Sequence, residues 1–304
     1  MSMAPGPTVL RAVAEPVYRL APPRTERRAP GLIALAWVVA TMAAFPATRA
    51  VATPPAPPPA PPPAVASAAV APATAAPDAG ASASQPIARP APPPAFAKLL
   101  ADTRAAALAR FAAEDARARP APGGILFAGS SIFALWPDVA RDMAPLPAFN
   151  RAIGGTTTAD QLDLIDTLAL PYRPRTIVFY AGSNDIVFGG TADGVVANVL
   201  RYAGRVHAAL PATRFVYVTI NRAPQKRDKW AIVDEANARI RAEAARQPEW
   251  FGYVDVDRLL QDARGEPLPG LYGPDGLHFL PAAYARFTAA INPAPRARDA
   301  GAAR

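Results

Sequence analysis

The 304-residue chain contains no cysteine. Disulfides, thiolate nucleophiles and cysteine-bound metals are therefore excluded. Histidine is almost as scarce: His207 and His278 are the only two, which leaves little for a metal site, and no cofactor is expected. A basic surface is missing where it would matter. The formal net charge of +8 comes mostly from the ends, with six arginines against two glutamates in 1–50, whereas 96–293 hold 22 basic against 20 acidic residues. No stripe of basic side chains interleaved with aromatics crosses that middle part, so nucleic acid is not an expected partner. Charge is absent altogether from Ala29 to Thr48.

That uncharged interval carries GLIALAWVVATMAAFPA at 31–47, preceded by Arg24, Arg27 and Arg28. Its length lies between a secretory apolar region and a minimal membrane-spanning helix, and the arginines favour an N-inside orientation. The expected organisation is a basic cytoplasmic segment or n-region at 1–30, a signal anchor or signal peptide at 31–50, a Pro/Ala linker at 51–95, a folded domain at 96–293 and a basic tail at 294–304. Residues 51–95 carry 15 of the 38 prolines. Such a stretch cannot bury enough apolar surface to offset its chain entropy and stays extended. The expected location is the bacterial cell envelope, either held at the inner membrane facing the periplasm or exported after cleavage, with membrane contact through the N-terminal segment alone.

From Phe96 onward the pattern is that of a globular domain. Phe96, Leu99, Leu100, Ala107, Leu108 and Phe111 recur at helical spacing. Short apolar runs at Ile125–Gly129, Ala148–Ile153, Thr176–Tyr180, Arg214–Ile220 and Phe251–Val256 alternate with helical patterns. Strands alternating with helices predict an α/β fold: a parallel five-stranded sheet covered on both faces. If the strand order is 2-1-3-4-5, ligands bind in the crevice between strands one and three.

Three loops lead into that crevice with Gly129-Ser130-Ser131, Gly154-Gly155-Thr156 and Gly182-Ser183-Asn184-Asp185, and a fourth segment near the end reads Asp275-Gly276-Leu277-His278. A serine hydroxyl is a weak nucleophile unless a base takes its proton and donors hold the oxyanion that forms. His278 can be the base for Ser131. Asp275 can accept from the other ring nitrogen and fix the tautomer. The backbone N–H groups of Ser131 and Gly155 and the side-chain amide of Asn184 can supply the oxyanion donors. Trp136 and Arg151 are further candidates for lining the pocket, as is Tyr180. His207, inside a helical pattern, is assigned no role. The charge run Arg222–Lys229 is expected to be a solvated loop.

Together the four segments resemble the SGNH hydrolases, the GDSL family of esterases and lipases. The family's Gly-Asp-Ser-Leu block is matched by Gly129-Ser130-Ser131-Ile132, with Ser130 in place of the aspartate. Its glycine block is similar to Asn150-Arg151-Ala152-Ile153-Gly154-Gly155-Thr156, its Gly-x-Asn-Asp block to Gly182–Asp185, and its Asp-x-x-His block to Asp275–His278. The resemblance implies a flavodoxin-like α/β/α sandwich over roughly 96–293. It also implies Ser131 as nucleophile, Gly155 as oxyanion glycine, and metal-free hydrolysis of an acyl ester on a carbohydrate, lipid or small molecule. Two other outcomes stay open: transfer of the acyl group to a glycan hydroxyl, and a catalytically silent binding module. An α/β-hydrolase is disfavoured because no Gly-x-Ser-x-Gly surrounds either serine.

Overall fold

The computed structural model describes residues 87–292. Five strands, β1 (Ile125–Gly129), β2 (Ala148–Asn150), β3 (Thr176–Tyr180), β4 (Arg214–Val218) and β5 (Phe251–Val254), pair throughout in parallel in the order β2-β1-β3-β4-β5. The helices are α1 (Pro94–Ala118), α2 (Ser131–Ala134), α3 (Val139–Asp142), α4 (Thr158–Leu168), α5 (Ser183–Val187), α6 (Ala192–Ala209), α7 (Trp230–Arg246) and α8 (Pro281–Ile291). The fold is the α/β/α sandwich that the alternating pattern predicts.

Alternation along each strand decides which layer a side chain joins. Leu126, Ala128, Ile177, Phe179, Phe215 and Tyr217 pack with the apolar faces of α4, α6 and α7. Their neighbours Ile125, Phe127, Val178, Tyr180, Val216 and Val218 pack on the other side with α2, α3 and α8. Both faces are buried, which is why these strands read as continuous apolar runs rather than alternating ones. Each fully buried Phe, Leu or Val contributes about 1.5–3 kcal/mol, so the sheet is the rigid platform on which the loops stand.

Strands two, four and five stop two or three residues short of the expected ends. Beyond β2 the ladder continues only as single bonds, Arg151 N–H to the Phe127 carbonyl and Ile153 N–H to that of Gly129, as the chain turns toward Gly155. Residues 87–93, which composition places in the linker, lie against the domain. The Arg89 guanidinium pairs with Asp163 of α4, and the Ala88 carbonyl accepts from the Asn198 amide of α6. The apolar run at 31–47 and the tail at 294–304 fall outside the described residues. Among those described, no helix is long and apolar enough to cross a membrane.

Candidate active site

The carboxyl ends of β1 and β3 meet so closely that only glycine fits at Gly129. Its φ is +129°, and a Cβ there would run into the Tyr180 carbonyl. Immediately beyond, Ser130 N–H donates to that same carbonyl at 2.9 Å, and the chain enters the single-turn helix α2 with Ser131 as its first residue. Trp136-Pro137 follows at once, and the helix ends. The two serines differ sharply. Ser130 Oγ is buried and has no hydrogen-bond partner among the described residues, whereas Ser131 Oγ lies 3.0 Å from His278 Nε2.

His278 is held by a turn of its own making. Asp275 Oδ1 accepts the N–H groups of Leu277 and His278, each at 3.0 Å, and Gly276 supplies the positive φ of +64° that the turn needs. Asp275 Oδ2 lies 2.5 Å from His278 Nδ1. Burial pushes the Asp275 carboxyl up, but hydrogen bonds from His278 and the two amides outweigh it and hold the group below the usual carboxylate range. Asp275 is therefore ionised and can only accept. Nδ1 must carry the ring proton, which leaves Nε2 as an acceptor for the Ser131 hydroxyl.

The other two blocks are tied to each other. Gly155 has φ +78°, and a Cβ on it would strike Leu100 of α1. Thr157 caps α4 through a reciprocal capping box with Asp160, worth about 1 kcal/mol, which fixes where the Gly154–Thr156 turn ends. Asn184, near the start of α5, donates from Nδ2 to the Thr156 carbonyl at 2.8 Å, and its second amide hydrogen meets no acceptor among the described residues. Asp185 reaches across to accept from the Thr158 N–H and hydroxyl, and burial pushes its carboxyl up to about 6. Among the described residues, the N–H groups of Ser131 and Gly155 donate to no protein acceptor. Ser131, Gly155, Asn184, Asp275 and His278 thus stand on four loops at one edge of the sheet.

Trp136, Arg151 and Tyr180 do not line this site. Trp136 is 3% exposed, packs edge-on or tilted against Phe127, Phe133, Tyr284 and Phe287, and donates from its indole to Asp142. Arg151 is spent on α1 and its surroundings. Its guanidinium donates to Glu114, Asp115 and the Tyr172 hydroxyl, and stacks over the rings of Phe111, Phe149 and Tyr172. Tyr180 is fully buried and donates to Asn221. A buried cation with two carboxylates is a packing solution, and nothing in the spacing of the glycine block distinguishes it from a substrate-facing one. His207 stacks on Trp250 at 4.2 Å, remote in sequence from every site loop. In the charge run 222–229, Arg222 pairs with Asp234 and Arg227 with Glu266, but Lys226 is buried, which its polar neighbours in sequence conceal. Among the described residues, no group of three or more His, Asp or Glu side chains could hold a metal ion.

A parallel sheet with a hydroxyl, an imidazole and a carboxylate in series at its carboxyl edge, flanked by unused N–H donors, is the equipment of an acyl-transferring hydrolase. Residues 123–286, more than half of the chain, match the GDSL-like Lipase/Acylhydrolase family. The fold is shared with a GDSL-like lipase of Bacteroides thetaiotaomicron (23% identity, TM-score 0.54, 62% of this chain and 97% of that one). A protein of Bacteroides fragilis assigned as an acylhydrolase is similar to a like degree (22% identity, TM-score 0.54, 62% and 95%). No curated protein matches in sequence. The chain belongs to the GDSL-like lipase/acylhydrolase family, and so to the enzymes that hydrolyse esters.

Proposed function

We propose that Ser131, His278 and Asp275 act as nucleophile, base and orienting carboxylate, and that the Ser131 and Gly155 N–H groups with the Asn184 amide hold the oxyanion. The single observation that carries this reading is the 3.0 Å contact between Ser131 Oγ and His278 Nε2, two groups 147 residues apart. In the forward step Ser131 Oγ bonds to the ester carbonyl carbon while its proton passes to Nε2, and Asp275 stabilises the imidazolium. Collapse breaks the bond to the alkoxy oxygen, which takes the proton from Nε2 and leaves as alcohol. Water then attacks the acyl-enzyme, gives its proton to Nε2, and the second collapse releases the acid and restores the Ser131 hydroxyl.

The substrate is an acyl ester of a carbohydrate, lipid or small molecule, and we assign a short acyl group. Of the large apolar side chains in the flanking segments, Phe133, Trp136, Val139, Met143 and Ile186 are turned into the core, and the few that stay partly exposed, such as Leu135, Val187 and Phe188, offer limited apolar lining for a long chain. Hydrolysis of nitrophenyl esters from two to twelve carbons tests both statements. Ser131→Ala should lower kcat by about four orders of magnitude or more, and the acetate or propionate ester should be cleaved fastest. Undiminished turnover in Ser131→Ala overturns the triad, and a rate maximum at long chains overturns the acyl assignment. Free acid as the product, in the presence of a glycan acceptor, separates hydrolysis from acyl transfer.

A further inference from the structure

Lys226 lies in a segment whose sequence reads as a solvated loop, yet it is 1% exposed, as buried as the phenylalanines of the core. Its Nζ lies 2.5 Å from Ser183 Oγ, its one hydrogen-bond partner among the described residues, and no carboxylate there comes within ion-pair distance of it. A buried ammonium without a counter-ion is costly, so this side chain weakens the fold where it sits.

Its position makes sense of that cost. Ser183 opens α5 and directly precedes Asn184, and the helix receives no side-chain cap from Gly182. One residue before Lys226, the Gln225 N–H donates to the Gly276 carbonyl at 3.1 Å, inside the turn that carries Asp275 and His278. Two consecutive residues therefore hold the amide-bearing helix on one side and the acid–base turn on the other. The backbone leaves helical geometry at Lys226 itself (φ −119°, ψ 36°), interrupting the 3-10 turn Pro224–Lys229.

We propose that Lys226 is a positioning residue for the oxyanion site: its amine, acting through Ser183, fixes the helix that carries Asn184, and its positive charge favours the oxyanion that forms beside that amide. This rests on the roles given above to Ser131, Gly155 and Asn184. Burial pushes the amine down to about 7, with the Asp257 carboxylate opposing the fall, so the charge is lost within the working range of an esterase. The other charged or titratable groups on the elements packed against its segment include Asp185 of α5, Asp234 and Glu235 of α7, and Asp275 with His278 in the turn bonded to Gln225. Asp257 is the one whose charge acts on the amine.

The test is Lys226→Met, assayed with nitrophenyl acetate across pH 5 to 10 beside wild type, Ser131→Ala and Ser183→Ala. Wild-type kcat/KM should fall on the alkaline side as Lys226 loses its proton. Lys226→Met should lose the alkaline limb and drop kcat about tenfold with KM within about twofold, the scale of one electrostatic contact at an intermediate dielectric. Its melting temperature near neutral pH should match or exceed that of wild type, because an apolar side chain replaces a poorly compensated charge. Ser183→Ala should lose a similar factor, and the double variant no more than either. A wild-type profile flat above pH 7, an unchanged kcat in Lys226→Met, or a kcat loss that tracks a fall in melting temperature would overturn the proposal. If Ser131→Ala stays active, the reading of the site itself has failed. If Ser131→Ala is dead while Lys226→Met behaves as wild type, only the role of Lys226 has.

Discussion

Replacing Asp275 by asparagine changes one heavy atom and isolates what the carboxylate does. Asparagine can keep its oxygen on the Leu277 and His278 N–H groups, each 3.0 Å away, so the turn should survive. Its amide nitrogen then faces His278 Nδ1 at the position where Oδ2 now sits at 2.5 Å. An NH2 group donates, so Nδ1 must become the acceptor and the ring proton moves to Nε2. Nε2 would then point a proton at Ser131 Oγ and could not take one from it. The wrong tautomer, together with the lost stabilisation of the imidazolium, costs about ten-thousandfold in kcat, or about 5 kcal/mol of barrier, with little change in KM. Steady-state hydrolysis of nitrophenyl acetate gives kcat and KM, and nitrogen chemical shifts of the His278 ring report the tautomer. Stability should show a separate signature. The Asp275 carboxylate is held below its ordinary range, so its contribution to folding is present above the unfolded-chain value and lost as pH falls through the folded one. Asp275→Asn should therefore flatten that part of the acid unfolding curve. A variant that is folded, keeps the proton on Nδ1 and retains more than a tenth of wild-type kcat would refute the reasoning.

Arg151→Met leaves Glu114 and Asp115 without their shared cation and removes one donor to the Tyr172 hydroxyl, which still donates to Asp115; because Glu114 is half exposed, we expect a loss of about 2–4 kcal/mol in denaturant unfolding, with kcat of the folded fraction unchanged. An equally large fall in kcat would instead place Arg151 at the substrate. Gly155→Ala must adopt a left-handed φ of +78° and also displace Leu100, so kcat should fall; adding Leu100→Ala should restore part of it, but not the roughly 1–2 kcal/mol of backbone strain. No recovery in the double variant would mean that Leu100 is not the obstacle. The buried amine of Lys226 also has a stability signature: pushed down to about 7 from its ordinary 10.5, it binds fewer protons folded than unfolded between those values. Wild-type stability should accordingly rise relative to Lys226→Met as pH increases across that window, and a constant difference would contradict the burial.

The sheet was legible because both its faces are buried. Runs such as TIVFY at 176–180 can only be strands with apolar neighbours above and below, and the helical spacing between them leaves room for a parallel arrangement alone. The residues around the site were legible for a different reason. Glycine at 129, 155, 182 and 276 marks backbone that no other residue adopts cheaply, and each of these glycines borders a polar group whose chemistry is local to its own side chain. Strand ends were less so, since the ladder thins to single bonds where the chain leaves the sheet.

What the sequence could not decide is which polar side chains turn inward. Arg151 and Lys226 each sit in a stretch that looks suited to meeting a ligand or water, and the packing of α1 on the glycine block and of Pro224–Lys229 on α5 buries both. Choosing Ser131 over Ser130 by geometry also required coordinates, because adjacent residues at a strand end point in opposite directions and only one of them meets the imidazole. Residue types and their order along the chain determined the fold and the chemistry available to it. Burial depends on contacts between segments far apart in sequence, so only the tertiary structure could decide which of those charged groups were left to act.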